Sequence, residues 1–448
     1  MKPSTFHKAL AWRGALCLSL PFCFALAGCH LEPKKSTGTI TLEVACFEGG
    51  YGLDWHKGVA RRYEAEHPNI KINLWGDARV EEKIRPRVLR GNPPDLANCS
   101  LPVWKLIVAH KLYPLDETLA TPAYGQSLPW RDTLTKGILA DFVYEGKSYV
   151  IPTNLGEQVY WYDRKLFRDH GWTAPKTWNE FLSLCEKIKK TGIAPIAFQG
   201  KYPIYAYYTL LSIYQRLVPI EKWYAMQDIT PGAFIDPDFI KAARMLQTLA
   251  KNYFETGAMA MSHTESQREW AYRKAGIVFC GLWLYNEMKD ALPNDFEMDC
   301  FALPMVEGGK GDPRALYSGG GENFFVFAQA KHPKEAADFL KYILSIKSAK
   351  EYTARLDTLS PVKDSYKGVA MSSALQGAIR LLEGRSRIFS ERIRSLYPAL
   401  GNVEMSESLR ALLMGEITPE QFGNRLERVA EKIRKDTDIY KPPPRGVP

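Results

Sequence analysis

Three stretches decide the fold: TITLEVACF (39–47), IKINLW (70–75) and DLANC (95–99). The first is rich in β-branched residues, the second alternates apolar and polar, and the third comes out of the turn GNPPD (91–95). All three read as strands. Between the first two, Asp54 is expected to cap a helix with Trp55, Val59 and Tyr63 on one face, at i, i+4 and i+8. Pro68 stops it. Between the second and third, a helix near 79–90 is expected to be interrupted at Pro86. A strand–helix–strand rhythm means a parallel sheet with crossover helices, and such sheets take ligands beyond the carboxyl ends of their strands. Those ends carry Glu48-Gly49-Gly50 and Asn98-Cys99-Ser100.

Outward from this block, GKSYVIPTN (146–154) and EQVYWYD (157–163) are extended segments lying close together. Thr177 and Glu180 have the spacing of a capping box before a helix with Trp178, Phe181, Cys185 and Ile188 on its apolar face. IAPIAF (193–198) reads as a strand, and a long helical middle runs to about residue 270. Strands return at AGIVFCG (275–281) and FEMDCFALP (296–304). LYSGGGENFFVFA (316–328) is a glycine-rich turn entering a strand, and after it comes the amphipathic helix HPKEAADFLKYILS (332–345). Near the end, Thr418 and Gln421 with Pro419 at the first helical position open a helix with Phe422, Leu426, Val429 and Ile433 inward. KPPPRGVP (441–448) reads as a disordered end.

At 448 residues the chain exceeds one ordinary core, and two domains are expected. The first residues stand apart. Lys2, Lys8 and Arg13 precede the apolar run GALCLSLPFCFALAGC (14–29), too short to span a bilayer and suited to a signal peptide. The run ends Leu26-Ala27-Gly28-Cys29, which resembles the bacterial lipobox with Cys29 as the lipidated residue. The net charge is +9, and losing the three basic residues of the leader leaves +6, spread along the chain. No basic run interleaves with aromatics, which points away from nucleic acid. Beyond Cys29 lie Cys46, Cys99, Cys185, Cys280 and Cys300, without Cys-x-x-Cys spacing, which argues against a zinc site. Free buried thiols are the default expectation, with Cys46–Cys99 or Cys280–Cys300 as the pairs an oxidising compartment would allow.

Aromatic residues make up 12% of the chain, enough to line a cleft as well as a core. In AGIVFCGLW (275–283) a buried strand ends on Gly281, which permits close approach of another group, and Trp283 comes two residues later. Trp283 is either a core ring or a flat apolar platform for a ligand. Enzymatic motifs fail: EGKS (145–148) resembles the end of a phosphate loop, but Asp141 stands where glycine is required. SGGGEN (318–323) lacks dinucleotide spacing, and the eight histidines are scattered as surface residues are. A secreted glycoside hydrolase needs only two well-placed carboxylates, so it stays as the alternative from another class. A transporter-free sugar-sensing lipoprotein on the same fold is the other alternative.

Several blocks resemble the family 1 extracellular solute-binding proteins of ABC importers, the sugar-binding type: YRKAGIVFCGLW (272–283), VYWYDRKLFRDHGWTAPKTWNEF (159–181), GNPPDLANCS (91–100) with LIVAHKLYPLD (106–116), GGGENFFVFAQAKHPKEAADFLKYILS (319–345) and LLMGEITPEQF (412–422). Asp163 stands where the family usually has Asn, and Cys99-Ser100 where relatives that bind maltodextrins carry an aromatic. The resemblance implies an α/β, two-lobed periplasmic-binding-protein fold (type II), each lobe a mostly parallel sheet flanked by helices, with a hinge of crossing strands. It implies a signal over 1–28, a tether over 29–38, one lobe from 39–152 plus 319–360, the other from 153–318 plus 361–440, and a tail over 441–448. It implies an exported, lipid-anchored monomer without metal or cofactor. This protein would capture a saccharide and deliver it to ABC permease subunits served by a separate ATPase. The residues it points to are Trp283 and Tyr205 for stacking, Glu48 and Asn98 on strand-end loops, Asn154 and Glu157 at the crossing strand, Gly320 at the second crossing and Asn402 as a late contact from the second lobe. Each also has a plain structural role available to it as core ring, cap, turn or hinge.

Overall fold

The computed structural model describes residues 38–139, 142–318 and 323–444. The unit from Thr39 onward is the body of the protein, and the expected leader, the anchor at Cys29 and the crossing glycine Gly320 lie outside the described residues. Two sheets carry the body. The first has the order Ile70–Asp77 (β2), Ile40–Phe47 (β1), Leu96–Cys99 (β3), Asn323–Val326 (β12), Ile151–Pro152 (β6). β1 pairs in parallel with β2 and β3, as the strand–helix–strand rhythm requires, while β12 runs antiparallel to β3 and β6. The second has the order Met298–Phe301 (β10), Gln158–Asp163 (β7), Ala275–Gly281 (β9), Ala194–Ala197 (β8), with only the β8–β9 pair parallel. Both sheets are therefore mixed. The antiparallel pairings involve strands such as β12 and β7 that enter from the other half, so no crossover helix sets their direction.

The remaining strands are short: Val143–Tyr144 (β4) pairs with Lys147–Ser148 (β5), and Leu316–Tyr317 (β11) with Ile388–Phe389 (β13). The chain leaves the first sheet at β6 and enters the second at β7, and it returns between β11 and β12. It crosses again after the helix Ile346–Leu356, since the next helix, Ser373–Glu383, lies against β10, where Arg380 bonds Asp299 at 3.1 Å. At the first crossing Glu157 bridges Ser318, and the Leu155 N–H donates to Leu359 O at 2.9 Å, so the crossings lie side by side.

Local chemistry explains most element ends. The helix Asp54–Glu66 buries Trp55, Val59 and Tyr63 as expected, but Asp54 is its first helical residue and no side chain caps it. A carboxylate in the first turn still favours the helix dipole. Pro86 lies inside the helix Val80–Leu89 and does not break it. It sits on the solvent face, so the carbonyl it leaves without an intrahelical donor is not sealed in the core. Thr177 accepts from Glu180 N, while the Glu180 carboxylate takes Lys176 N at 2.7 Å, one residue before the expected cap. Thr418 and Gln421 make the full reciprocal box, and Val429 on that helix is only half-buried, with Ala430 taking the inward place.

All five described cysteines are free and buried. Cys46 faces Asn98 across β1–β3, so Cys99, one residue on, packs on the opposite face of the sheet and cannot reach it. Cys280 and Cys300 pair with Val159 and Trp161 on the two edges of β7. With β7 between them and a two-residue offset along it, they stand about 12 Å apart, beyond disulfide reach.

Candidate functional site

A cavity of about 2080 Å³ is walled by strand ends of the first sheet, by helices of the second half and by all three crossings. Phe47, Asn98 and Ser100 come from the first side, and Tyr205, Trp283 and Asn402 from the second. The carboxyl ends of β1, β3 and β9 open on it, where the fold rule puts ligands.

The close approach that Gly281 permits comes from within the chain. A Cβ on Gly281 would lie 2.1 Å from Trp283 Cζ3, so the approaching group is Trp283 itself, its indole laid back over the glycine. The ring is half-buried, resting on the core and lining the cavity. The strand apolarity that forms β9 thus delivers a flat apolar face at the strand's end.

Tyr205 stands beside it, on the helix Ile204–Leu217, 8% exposed and on the cavity wall. Its hydroxyl lies 2.7 Å from His263 Nδ1, and the two rings stack with centroids 5.5 Å apart. Burial, with Cys280 and Glu287 nearby, holds the phenol well above its ordinary pKa, so the hydroxyl keeps its proton. His263 Nε2 meets Glu287 Oε2 at 2.6 Å, and Gln267 Nε2 reaches the same oxygen at 2.7 Å. His263 is therefore no surface residue. Nor is His56, which is buried on the wall with its imidazole pushed down to about 4 by burial.

The other expected residues divide. Asn98 is buried at the end of β3 and donates through Nδ2 to Thr153 Oγ1, and both line the cavity. Asn154 is buried on the same wall. Asn402 lies in the wide helical turn Ala399–Glu404, its Oδ1 taking Arg394 Nε at 3.0 Å, and both residues line the cavity. Glu48 is exposed and stands off the wall, because Gly49 and Gly50 carry the chain to the cavity instead. Glu157 is also off the wall. It is 1% exposed beneath the crossing, and neither carboxylate oxygen has a hydrogen-bond partner among the described residues. Burial pushes its carboxyl up to about 7, against weaker downward pulls from its own backbone and from Arg385.

Sequence reasoning missed His263, Glu287, Thr153 and Phe47. Glu287 had a signal: it lies four residues after Trp283, one helical turn. The tail is not a free end throughout, since Pro442 and Pro443 line the cavity and the Lys441 ammonium bonds Ile433 O and Ile439 O near the end of the preceding helix. Asp163 caps the helix Arg164–Asp169 through Lys165 N at 2.9 Å and pairs with Arg273 at 2.6 Å, a charge pair that an Asn would not make. Among the described residues no helix is long and apolar enough to cross a membrane.

Two sheets joined by crossing strands around a cavity define a binding protein of the two-lobed type. The chain belongs to the bacterial extracellular solute-binding protein family, whose profile matches residues 50–350. It is 26% identical over 429 residues to the diacetylchitobiose binding protein NgcE of Streptomyces coelicolor, a match covering 92% of this chain and 88% of that one. A structure solved in work on xylan utilization by the thermophilic bacterium Caldanaerobius polysaccharolyticus has the same fold, with a TM-score of 0.75, 21% identity and coverage of 87% of this chain and 99% of the other. A chitin oligosaccharide binding protein superposes with a TM-score of 0.73 at 21% identity, over 88% of this chain and 98% of the other.

Proposed function

We propose that this protein is the extracytoplasmic saccharide-binding component of an ABC importer. One observation carries the reading: an indole face and a phenol, with buried amides, a buried hydroxyl and a half-buried carboxylate around them, line one cavity reached from both halves. Sugars present C–H patches on a ring face and hydroxyls at its edge, so ring stacking and edge hydrogen bonding select them together. Trp283 and Tyr205 would stack, while Asn98, Asn154 and Asn402 would bond hydroxyls. Family membership and the saccharides named for the relatives support this reading.

The lobes comprise 39–152 with 319–360 and 153–318 with 361–440, moving about the crossings. Closure excludes water and strengthens the polar contacts. The protein acts as a monomer tethered by a lipid on Cys29, and the closed form docks on the permease. Calorimetry of the mature chain against diacetylchitobiose, chito- and xylo-oligosaccharides tests it. Saturable binding with the sugar recovered intact is expected. Conversion of the sugar, or no binding across mono-, di- and oligosaccharides, would overturn it.

A further inference from the structure

We propose that Glu287 is the carboxylate that accepts a hydrogen bond from the bound saccharide, and that His263 and Gln267 are the positioning residues that aim it. The inference rests on the saccharide reading and goes beyond it by assigning roles to three polar residues that look ordinary along the chain.

The first support is placement. Glu287 lies in the short helix Leu284–Met288, and its N–H donates to Trp283 O at 3.2 Å. One turn separates the two side chains, which puts indole and carboxylate on one helix face, and both line the cavity. A sugar ring lying on the indole would have its edge hydroxyls within reach of that carboxylate.

The second support is how the two oxygens are used. A carboxylate oxygen only accepts, so in the 2.6 Å contact with Glu287 Oε2 the proton sits on His263 Nε2, while Tyr205 Oη closes the other side of the ring at 2.7 Å from Nδ1 and Gln267 Nε2 lies 2.7 Å from Nε2. Gln267 donates to the same oxygen. Oε2 is saturated by the protein. Oε1 has no hydrogen-bond partner among the described residues, and the side chain is 22% exposed, toward the cavity. A carboxylate fixed through one oxygen and open at the other is a preorganised acceptor, and charge-assisted bonds of this kind are stronger than neutral ones.

The third support comes from the opposite half. A Cβ on Gly50 would lie 2.8 Å from Oε1 and 3.1 Å from Glu287 Cγ. The loop after β1 therefore comes up to the same oxygen, and any side chain at position 50 would crowd it. Glu287 is met by ligand and first half together, so its contact strengthens as the halves approach.

The test is calorimetry on the mature chain with diacetylchitobiose, xylobiose and the singly deoxygenated derivatives of whichever binds more tightly. Glu287→Gln keeps the shape and turns the open acceptor into a donor; a loss of about tenfold or more in affinity is expected with the thermal midpoint little changed. One deoxy position that weakens binding to the native protein should cost nothing further in this variant. His263→Ala should lose less and His263→Gln should recover part of it, because an amide N–H can still reach Oε2. Gly50→Ala, which touches no core residue, should weaken binding several-fold and serves if the Glu287 variant does not fold. Native affinity in Glu287→Gln, or deoxy losses that add in full to its own, would overturn the assignment and leave the saccharide reading standing. Failure of the native chain to bind any saccharide would overturn both.

Discussion

The two strand ends that face each other across the cavity use one device in opposite order. On β1, Phe47 precedes Gly49, and a Cβ there would lie 2.2 Å from Phe47 Cε1. On β9, Gly281 precedes Trp283, with the corresponding distance 2.1 Å. Each glycine is a shelf under an aromatic ring. The ends differ in the residues beyond the shelf. After Gly49 comes Gly50, bare backbone set against Glu287, whereas after Trp283 comes a helical turn bearing Glu287, seated by His263 and Gln267. One side supplies a ring and bare backbone, and the other supplies a ring and a charge. At these two strand ends the ring and charge that line the cavity beside each other therefore come from the second half, and the first half meets them with backbone.

Four measurements would break or sharpen that contrast. The largest effect concerns a carboxylate with none of the help Glu287 receives. Glu157, at the crossing between the two ends, has its pKa raised from 4.5 to about 7 by burial. The folded state then holds a proton that the unfolded chain releases, so this group's contribution to stability is complete below pH 4.5 and is lost as pH rises through about 7. Glu157→Gln should match the native protein near the lower limit and exceed it at pH 8 by on the order of 3 kcal/mol in urea unfolding. Equal stability at both pH values would show the carboxylate to be solvated. Glu255, also raised to about 7, keeps its own slope in both proteins.

Next comes the ring itself. Trp283→Ala should cost about 1–3 kcal/mol of ligand affinity in calorimetry, because a desolvated apolar face is lost. A folded variant with native affinity would return Trp283 to the core. Smaller again is Gly281→Ala, expected to lower affinity by about 1 kcal/mol by lifting the indole off its shelf, with a shift in tryptophan fluorescence. The smallest is Gly49→Ala, expected within about 0.5 kcal/mol, since Phe47 is no part of the Tyr205–His263–Glu287 chain of contacts. If Gly49→Ala proved as costly as Gly281→Ala, the two walls would contribute equally and the contrast would fall.

Much of this was legible along the chain. The β-branched runs located β1, β2, β3 and β9, the helix faces came from spacing, and Gly281 with Trp283 announced a close approach. Strands at the crossings were harder. β7 and β12 carry ordinary strand composition, and nothing in them states that their neighbours run antiparallel. The site was legible mainly in its apolar part. Trp283 and Tyr205 stand out because their rings are bulky and flat, whereas His263 and Glu287 look like any polar residues on a helix.

What the sequence alone determined is local: periodicity sets strand and helix, caps and prolines set many ends, and blocks of residues at family spacing name the kind of protein. Tertiary structure decided which polar groups meet. His263, Gln267 and Glu287 come from two helices, Tyr205 from a third, and Gly50 from the other half. Hydrogen bonds act over about 3 Å and depend on direction, so their partners exist only once packing has fixed distant segments. Burial works the same way: Glu48 and Glu157 are the same residue type, and only the folded chain exposes one and sinks the other.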